Sequence, residues 1–251
     1  MTSFWTIAKR EVLGFCVLPI AYVVLTVWLL YFGLVFYLLA DFYTMAPGAG
    51  GGAGLMTAFF GGTTLFYLPL LVFAPVLTMR LLAEEKSSGT LECLMTAPVG
   101  EWSIALGKYV AALIFWMGLW LPTLLYFWLL EGYGNDVIDV GTLVATYAGV
   151  LAVGLLYMAI GLLMSAISQS QIGAALLTFL VLGSLFLIGL RAYGAQTEGE
   201  RAFYEYLGVW SQMSTFAKGI IDTRYLVFDL SGALVALYAT TQVLQAQRSQ
   251  A

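Results

Sequence analysis

Four long stretches of this chain carry no charged residue, and they limit its fold more than any other feature. They lie between Glu11 and Asp41, Asp41 and Arg80, Lys108 and Glu131, and Asp139 and Arg191. A helix needs about 20 largely apolar residues to cross a bilayer, and each stretch can supply them. Only 10% of the 251 residues are charged and 61% are hydrophobic, against roughly 25% charged and 45–50% apolar in soluble domains. So few charges cannot cover a water-facing surface, which excludes a soluble enzyme or a disordered tail. The net charge of −4 excludes an extended basic face, so no nucleic-acid partner is expected. A spanning β-barrel would show short alternating segments instead. The expected fold class is an all-α polytopic membrane protein, a single transmembrane unit over residues 1–251 with the lipid bilayer as its surroundings.

Charge gaps and breakers place six spans, at about 17–40, 57–79, 109–130, 141–164, 172–190 and 226–244. The second begins at Thr57 because Pro47–Gly54 (PGAGGGAG) reads as too flexible for helix. The gap from Asp139 to Arg191 is too long for one helix, and its polar middle, Ser165 to Gln171, divides it in two. An even number of spans puts both termini on one side. The short loops on that side hold six basic residues (Lys9, Arg10, Arg80, Lys86, Lys108, Arg248), and the other side holds four. The excess, clearest around the first span, places both termini in the cytoplasm. The basic residues between spans five and six are balanced by Glu198, Glu200, Glu205 and Asp222. The first apolar segment lacks the plan of a cleaved signal and reads as retained.

Three segments are neither span nor simple loop. Residues 3–15 read as an interfacial helix, with Phe4, Trp5, Ala8, Val12 and Phe15 on one arc and Thr6, Lys9 and Arg10 opposite. Glu11 intrudes on the apolar arc, and the alternative is the start of a long tilted first span. Residues 80–108 hold a charged cluster, Glu84-Glu85-Lys86, then Ser87-Ser88-Gly89-Thr90 with Thr90 as an N-cap. Leu91, Leu94 and Met95 form one apolar helix face, and Pro98 stops the helix. Such a helix wants a partner's groove, or else folds back onto the bilayer or its own bundle. Residues 191–224 are too long and too aromatic for a plain connection, and predict two short helices at the outer interface or a packed cap.

His is absent, which removes His-based catalysis and zinc motifs. Cys16 and Cys93 are too far apart to suggest a disulfide framework. Gly100 to Tyr109 has the wrong glycine spacing for a phosphate loop and lacks Ser or Thr after Lys108, so the chain is not expected to hydrolyse ATP. The acidic residues, including Asp222 and Asp229, fall at or near span ends, so no mid-membrane acid marks ion coupling. Ala145/Gly149 and Gly161/Ser165 are spaced for close helix contact.

Residues 84–116, EEKSSGTLECLMTAPVGEWSIALGKYVAALIFW, resemble the segment after the second span of ABC type-2 exporter permeases. The closest branch is the gliding-motility and nitrous-oxide-reductase-maturation type. The matched features are Glu84-Glu85-Lys86, Ser88-Gly89-Thr90, Pro98 and Gly107-Lys108. Residues 216–231, FAKGIIDTRYLVFDLS, are similar to that family's approach to the last span, with Gly219, Ile221, Asp222 and Arg224 in place. The resemblance implies a multi-pass permease of the bacterial inner membrane that is not itself catalytic. Two permease halves, as a homodimer, would pair with two copies of a cytoplasmic ATPase. ATP and Mg would be held by the ATPase and no cofactor by this chain. An accessory subunit with an extracytoplasmic domain is possible in this branch. Docking would fall on Glu84, Glu85, Lys86, Gly89, Thr90, Leu91, Glu92, Leu94, Met95 and Pro98. An outer gate would be built from Phe203, Tyr206, Trp210, Phe216, Gly219, Ile221, Asp222 and Arg224. The alternatives are an ion-coupled carrier, a membrane-embedded enzyme, or a subunit with a purely mechanical or anchoring role.

Overall fold

The computed structural model describes residues 2–45, 51–90, 100–132 and 139–249. These are helical, with no strand among the described residues, so the all-α expectation holds. The long helices are α2 (Pro19–Met45), α6 (Glu101–Trp120) continued by α7 (Leu124–Gly132), α8 (Val140–Ile167), α9 (Gln171–Leu190) and α12 (Thr223–Arg248). Each is long and apolar enough to cross a bilayer, α6 and α7 counting as one through a short 3-10 turn at Leu121–Thr123. A further pair is bent by 41° and makes a sixth span if it crosses as one unit. It joins α3 (Gly51–Thr57), the π-helical turn Ala58–Gly62 and α4 (Thr64–Thr78).

The glycine-rich stretch corrects the sequence reading in part. Gly51 to Gly54, expected to be too flexible, are helical as the start of α3, because Leu55 and Met56 just beyond them are buried and anchor the turn. Residues 46–50 lie outside the described residues. The break falls later, at Thr63, whose extended backbone (φ −128°, ψ 146°) interrupts the helical ladder. Its hydroxyl donates to Ala58 O at 3.1 Å.

Helix α8 is the axis of the bundle. In its apolar window 72% of the residues are buried, against 22–39% in the other continuous spans. Its small residues admit the neighbours, as their spacing suggested: a Cβ at Gly149 would come 2.7 Å from the Phe216 ring, and one at Gly161 would collide with Thr78. Tyr109 and Trp116 of α6 donate to Leu155 O and Val150 O at 3.0 and 3.2 Å. On the other flank, Trp28 and Phe32 of α2 meet Trp120 at ring distances of 4.9 and 5.1 Å. Phe59, Phe60 and Phe66 of the bent pair complete this buried aromatic core. Offset and edge-on ring contacts add about 0.5–1.5 kcal/mol each beyond area burial.

The first helix, α1 (Thr2–Val17), matches the predicted segment and is parted from α2 by Leu18. Its inner face keeps Phe4, Ala8, Val12 and Phe15 of the arc drawn on the sequence at least partly buried and leaves Thr6, Lys9 and Arg10 exposed, but it adds Ile7 and turns Trp5 outward. Ile7 and Ala8 are buried and Trp5 is exposed, because the face is set by α6. There Gly107 leaves room for Ile7, whose Cγ2 lies 2.8 Å from where a Cβ would be.

Candidate functional site

One end of the bundle gathers both terminal helices, the turn between α8 and α9, and the base of the segment joining the bent pair to α6. That base is α5 (Ala83–Ser87), which carries the Glu84-Glu85-Lys86 cluster. Each of the three side chains goes to a different neighbour. Glu84 takes two parallel bonds from the Arg80 guanidinium, at 2.7 and 2.8 Å, which hold its carboxyl below the usual glutamate range. Glu85 lies 2.9 Å from Lys108 Nζ and 3.3 Å from Arg10 Nη2. Lys86 donates to Ala166 O and, at 3.4 Å, to Ser168 O. Those carbonyls close the C-terminal end of α8, where the helix dipole favours a cation. Burial pushes the Lys86 pKa down.

Lys108 is the hub. It is 1% exposed and also lies 2.9 Å from Glu11, so one ammonium ties α1, α5 and α6 together. Glu11 therefore disturbs the apolar arc for a reason: it faces inward to meet a buried cation. Ser165, which the sequence reading placed in the break between two spans, is inside α8 and fully buried. Its hydroxyl accepts from Leu82 N and Ala83 N, both at 3.0 Å, and donates to Met79 O at 3.2 Å. It thus satisfies backbone groups left open where α4 ends and α5 begins. The last helix joins the same end through Arg248 and Glu101, 2.7 Å apart, and through Gln247 Nε2, which donates to Ala166 O at 3.2 Å.

Gly89 turns the chain outward at φ 71°, a backbone conformation that favours glycine. Thr90 sends its hydroxyl back to Glu85 O at 3.3 Å and lies 2.9 Å from Ser88 Oγ. The expected apolar face and its end, Leu91, Glu92, Leu94, Met95 and Pro98, lie outside the described residues. What the structure describes is the base that precedes them, tied to its neighbours by Glu84, Glu85 and Lys86.

The opposite end carries two short helices before the last span, as predicted: α10 (Glu198–Leu207) and α11 (Val209–Phe216). They differ sharply. No residue of α10 is buried, and Phe203 points outward. Helix α11 is seated inside the bundle by Val209, Gln212, Met213 and Phe216. Trp210 stacks on Tyr67 with centroids 4.7 Å apart. The Tyr67 hydroxyl bonds Gly61 O at 3.1 Å and Trp210 O at 3.3 Å. Gly61 has no room for a side chain, since a Cβ there would lie 2.7 Å from the Ser214 backbone. The π-helical turn thus brings the bent span backbone-to-backbone against α11.

The chain leaves α11 through Gly219, at φ 80° and close to Thr142, and past the exposed Ile221. Tyr206 rests on Tyr225 and Phe228. Asp222 caps α12 by accepting from Arg224 N at 2.9 Å. Side chains two residues apart within a helix do not face each other, so Asp222 and Arg224 would not bond if both lay inside one. They do bond, at 2.7 Å. The reason is that Asp222 precedes the helix, and its extended backbone (φ −91°, ψ 112°) swings the carboxylate over the first turn. This pairing holds the Asp222 carboxyl below the usual aspartate range. Beside the Ala217–Lys218 turn lies an open cavity of ≈ 710 Å³ walled by Phe42, Tyr43, Thr57, Thr63 and Thr142.

Sequence reasoning passed over Asp229 as an acid near a span end. It is 1% exposed, within α12, and accepts a hydrogen bond from Gln212 of α11. Its near-uniform apolar neighbours along the last span were the available signal.

The model of a family described as ABC-2 family transporter protein matches residues 6–221. A search of the curated proteins finds no match.

Proposed function

This chain belongs to the ABC-2 transporter family, and from that we propose that it is the membrane-spanning half of an ATP-driven exporter, powered by a separate ATPase that docks on the segment after Gly89. The observation that carries this reading is the three-way anchoring of Glu84, Glu85 and Lys86 to the Arg80 turn, to α1 with α6, and to the end of α8. A push on the apolar helix expected at residues 91–97 would reach α5 first. From there it would pass to three elements held by charge-assisted bonds, not by flexible loop. A structure that only anchored the chain in lipid would have no use for a base so closely tied to α1, α6 and α8.

Helix α11 is the natural outer gate in this reading. It is short, lies at the opposite end from the anchored base, and is packed into the bundle through ring and backbone contacts, next to an open cavity. Motion of α8 carries to it directly, because Gly149 touches Phe216 and Thr146 donates to Phe216 O at 3.3 Å. The proposal further assigns both termini to the cytoplasm of a bacterial inner membrane. It assigns the transporter two copies of this chain, two ATPase subunits binding ATP and Mg, and room for an accessory outer subunit. Cargo would leave on the α10–α11 side. An ion-coupled carrier is the second reading, since Asp229 is the kind of buried acid such a carrier uses.

Two measurements test the proposal. The chain is purified from its own membrane, and bound proteins and lipids are identified by mass spectrometry. Cysteine pairs placed along α11 are then crosslinked across the dimer with and without trapped nucleotide. A copurifying ATPase and nucleotide-dependent crosslinking are expected. Absence of any ATPase, with transport driven by an ion gradient alone, would establish the carrier reading instead.

A further inference from the structure

The buried pair Gln212 and Asp229 sits where the proposed gate meets the last span. Asp229 is the seventh residue of α12, roughly 9 Å along the axis from its start at 1.5 Å per residue. Gln212 Nε2 donates to Asp229 Oδ2, and the other oxygen, Oδ1, is buried with no hydrogen-bond partner. Among the described residues no Lys or Arg pairs with Asp229. Gln212 is 2% exposed and lies on the face that α11 turns inward with Met213 and Phe216.

A polar pair is a costly way to hold two helices together inside a bundle. Apolar side chains of similar volume do this as well or better, and a half-satisfied carboxylate keeps its desolvation cost. The pair therefore makes contact between α11 and α12 conditional. While water is excluded, one hydrogen bond in a low-dielectric site holds α11 in place. When α11 lifts, water reaches Oδ1 and supplies the bonds that the seated state withholds. Seated and lifted states are kept close in free energy, as a moving element requires.

We propose that Gln212 and Asp229 form a releasable polar latch that positions α11 on the last span and sets how readily the outer gate lifts. The inference rests on the reading of α11 as the gate, but its test needs no ATPase, so the two can fail separately. Full-length chain in lipid nanodiscs is followed by amide hydrogen exchange resolved over residues 209–216 and over α8. Gln212→Leu strands the carboxylate without its one hydrogen-bond partner among the described residues and should speed exchange in 209–216 by at least about tenfold while α8 stays protected. The double variant Gln212→Leu/Asp229→Leu replaces both partners by apolar groups and should restore or exceed the original protection in 209–216. Restoration by a second substitution is something a merely structural loss would not show. Unchanged exchange in the single variant, no recovery in the double variant, or acceleration spread equally through α8 and α12 would each overturn the latch.

Discussion

The ammonium of Lys108 lies 2.9 Å from the Glu11 carboxylate, although the two residues are 97 positions apart. The contact fixes the first helix to the start of the third span at the end of the bundle where α5 also arrives. Because Lys108 is enclosed, it relies on its acidic partners for the interactions that water would otherwise supply.

The first prediction follows from that dependence. Replacing Glu11 and Glu85 together by Gln leaves Lys108 enclosed without the two carboxylates it contacts and should destabilise the protein by about 3–5 kcal/mol, the usual cost of breaking a buried pair from one side. Adding Lys108→Met should recover most of the loss. Thermal unfolding in detergent, compared among the three variants, checks both halves. Equal stability of the double and triple variants would mean that the cluster acts through something other than charge compensation.

Close packing around α8 gives a second prediction. Gly149 has no room for a side chain because Phe216 fills the space. Gly149→Val must push α11 outward and should cost about 1–3 kcal/mol as an overpacked contact. Gly183, with open space around it, is the control: Gly183→Ala should be near neutral. The comparison is made by unfolding, with protease sensitivity of the α10–α11 segment as the local readout.

Three helix starts, those of α8, α9 and α12, were legible in the sequence to within about three residues, because charge gaps and capping residues are local signals, whereas α6 begins at Glu101, ahead of the expected start at Tyr109. Asp139, Ser170 and Asp222 cap helices that begin beside the predicted starts. The glycine-rich start of α3 was not legible, since backbone preference was overridden by the burial of Leu55 and Met56 next to it. Glu11, Lys108 and Ser165 were legible as residues but not as partners. Their roles come from helices that pack together far apart in sequence, and no local pattern encodes that. The Glu84-Glu85-Lys86 cluster was noticed as a docking motif; that Glu85 and Lys86 also reach α1, α6 and the end of α8, while Glu84 bonds Arg80 close by, is long-range packing that no local pattern encodes.

Acid should loosen the start of the last span. The Asp222 carboxyl is held below its ordinary range by Arg224, so its contribution is fully present above the unfolded aspartate value near about 3.9 and is lost as pH falls through the lower folded value. Asp222→Asn, which keeps a capping oxygen but no charge, should remove the pH dependence. Asp222→Ala should also loosen the gate and raise ATPase activity not coupled to export. Tyr225 fluorescence against pH follows the first effect, and ATPase assays in the reconstituted transporter follow the second.

Orientation is checked by labelling. In a Cys16→Ser background, which removes the exposed thiol of α1, Cys93 should resist an impermeant maleimide applied to intact cells. A cysteine replacing Glu198, exposed on α10, should react. The opposite pattern would reverse the assignment drawn from the basic residues near the first span.

The central claim is that an ATPase is held by the apolar face beyond Gly89, and Leu94→Asp tests it most directly. An unpaired carboxylate in an apolar groove costs several kcal/mol, on the order of what a docked helix contributes. Glu92→Ala, at a rim position, should cost about 0–1 kcal/mol. Quantitative copurification of the ATPase with each variant, normalised to permease in the membrane, should show the subunit lost from Leu94→Asp and retained by Glu92→Ala. Wild-type recovery of the ATPase with Leu94→Asp would contradict the account.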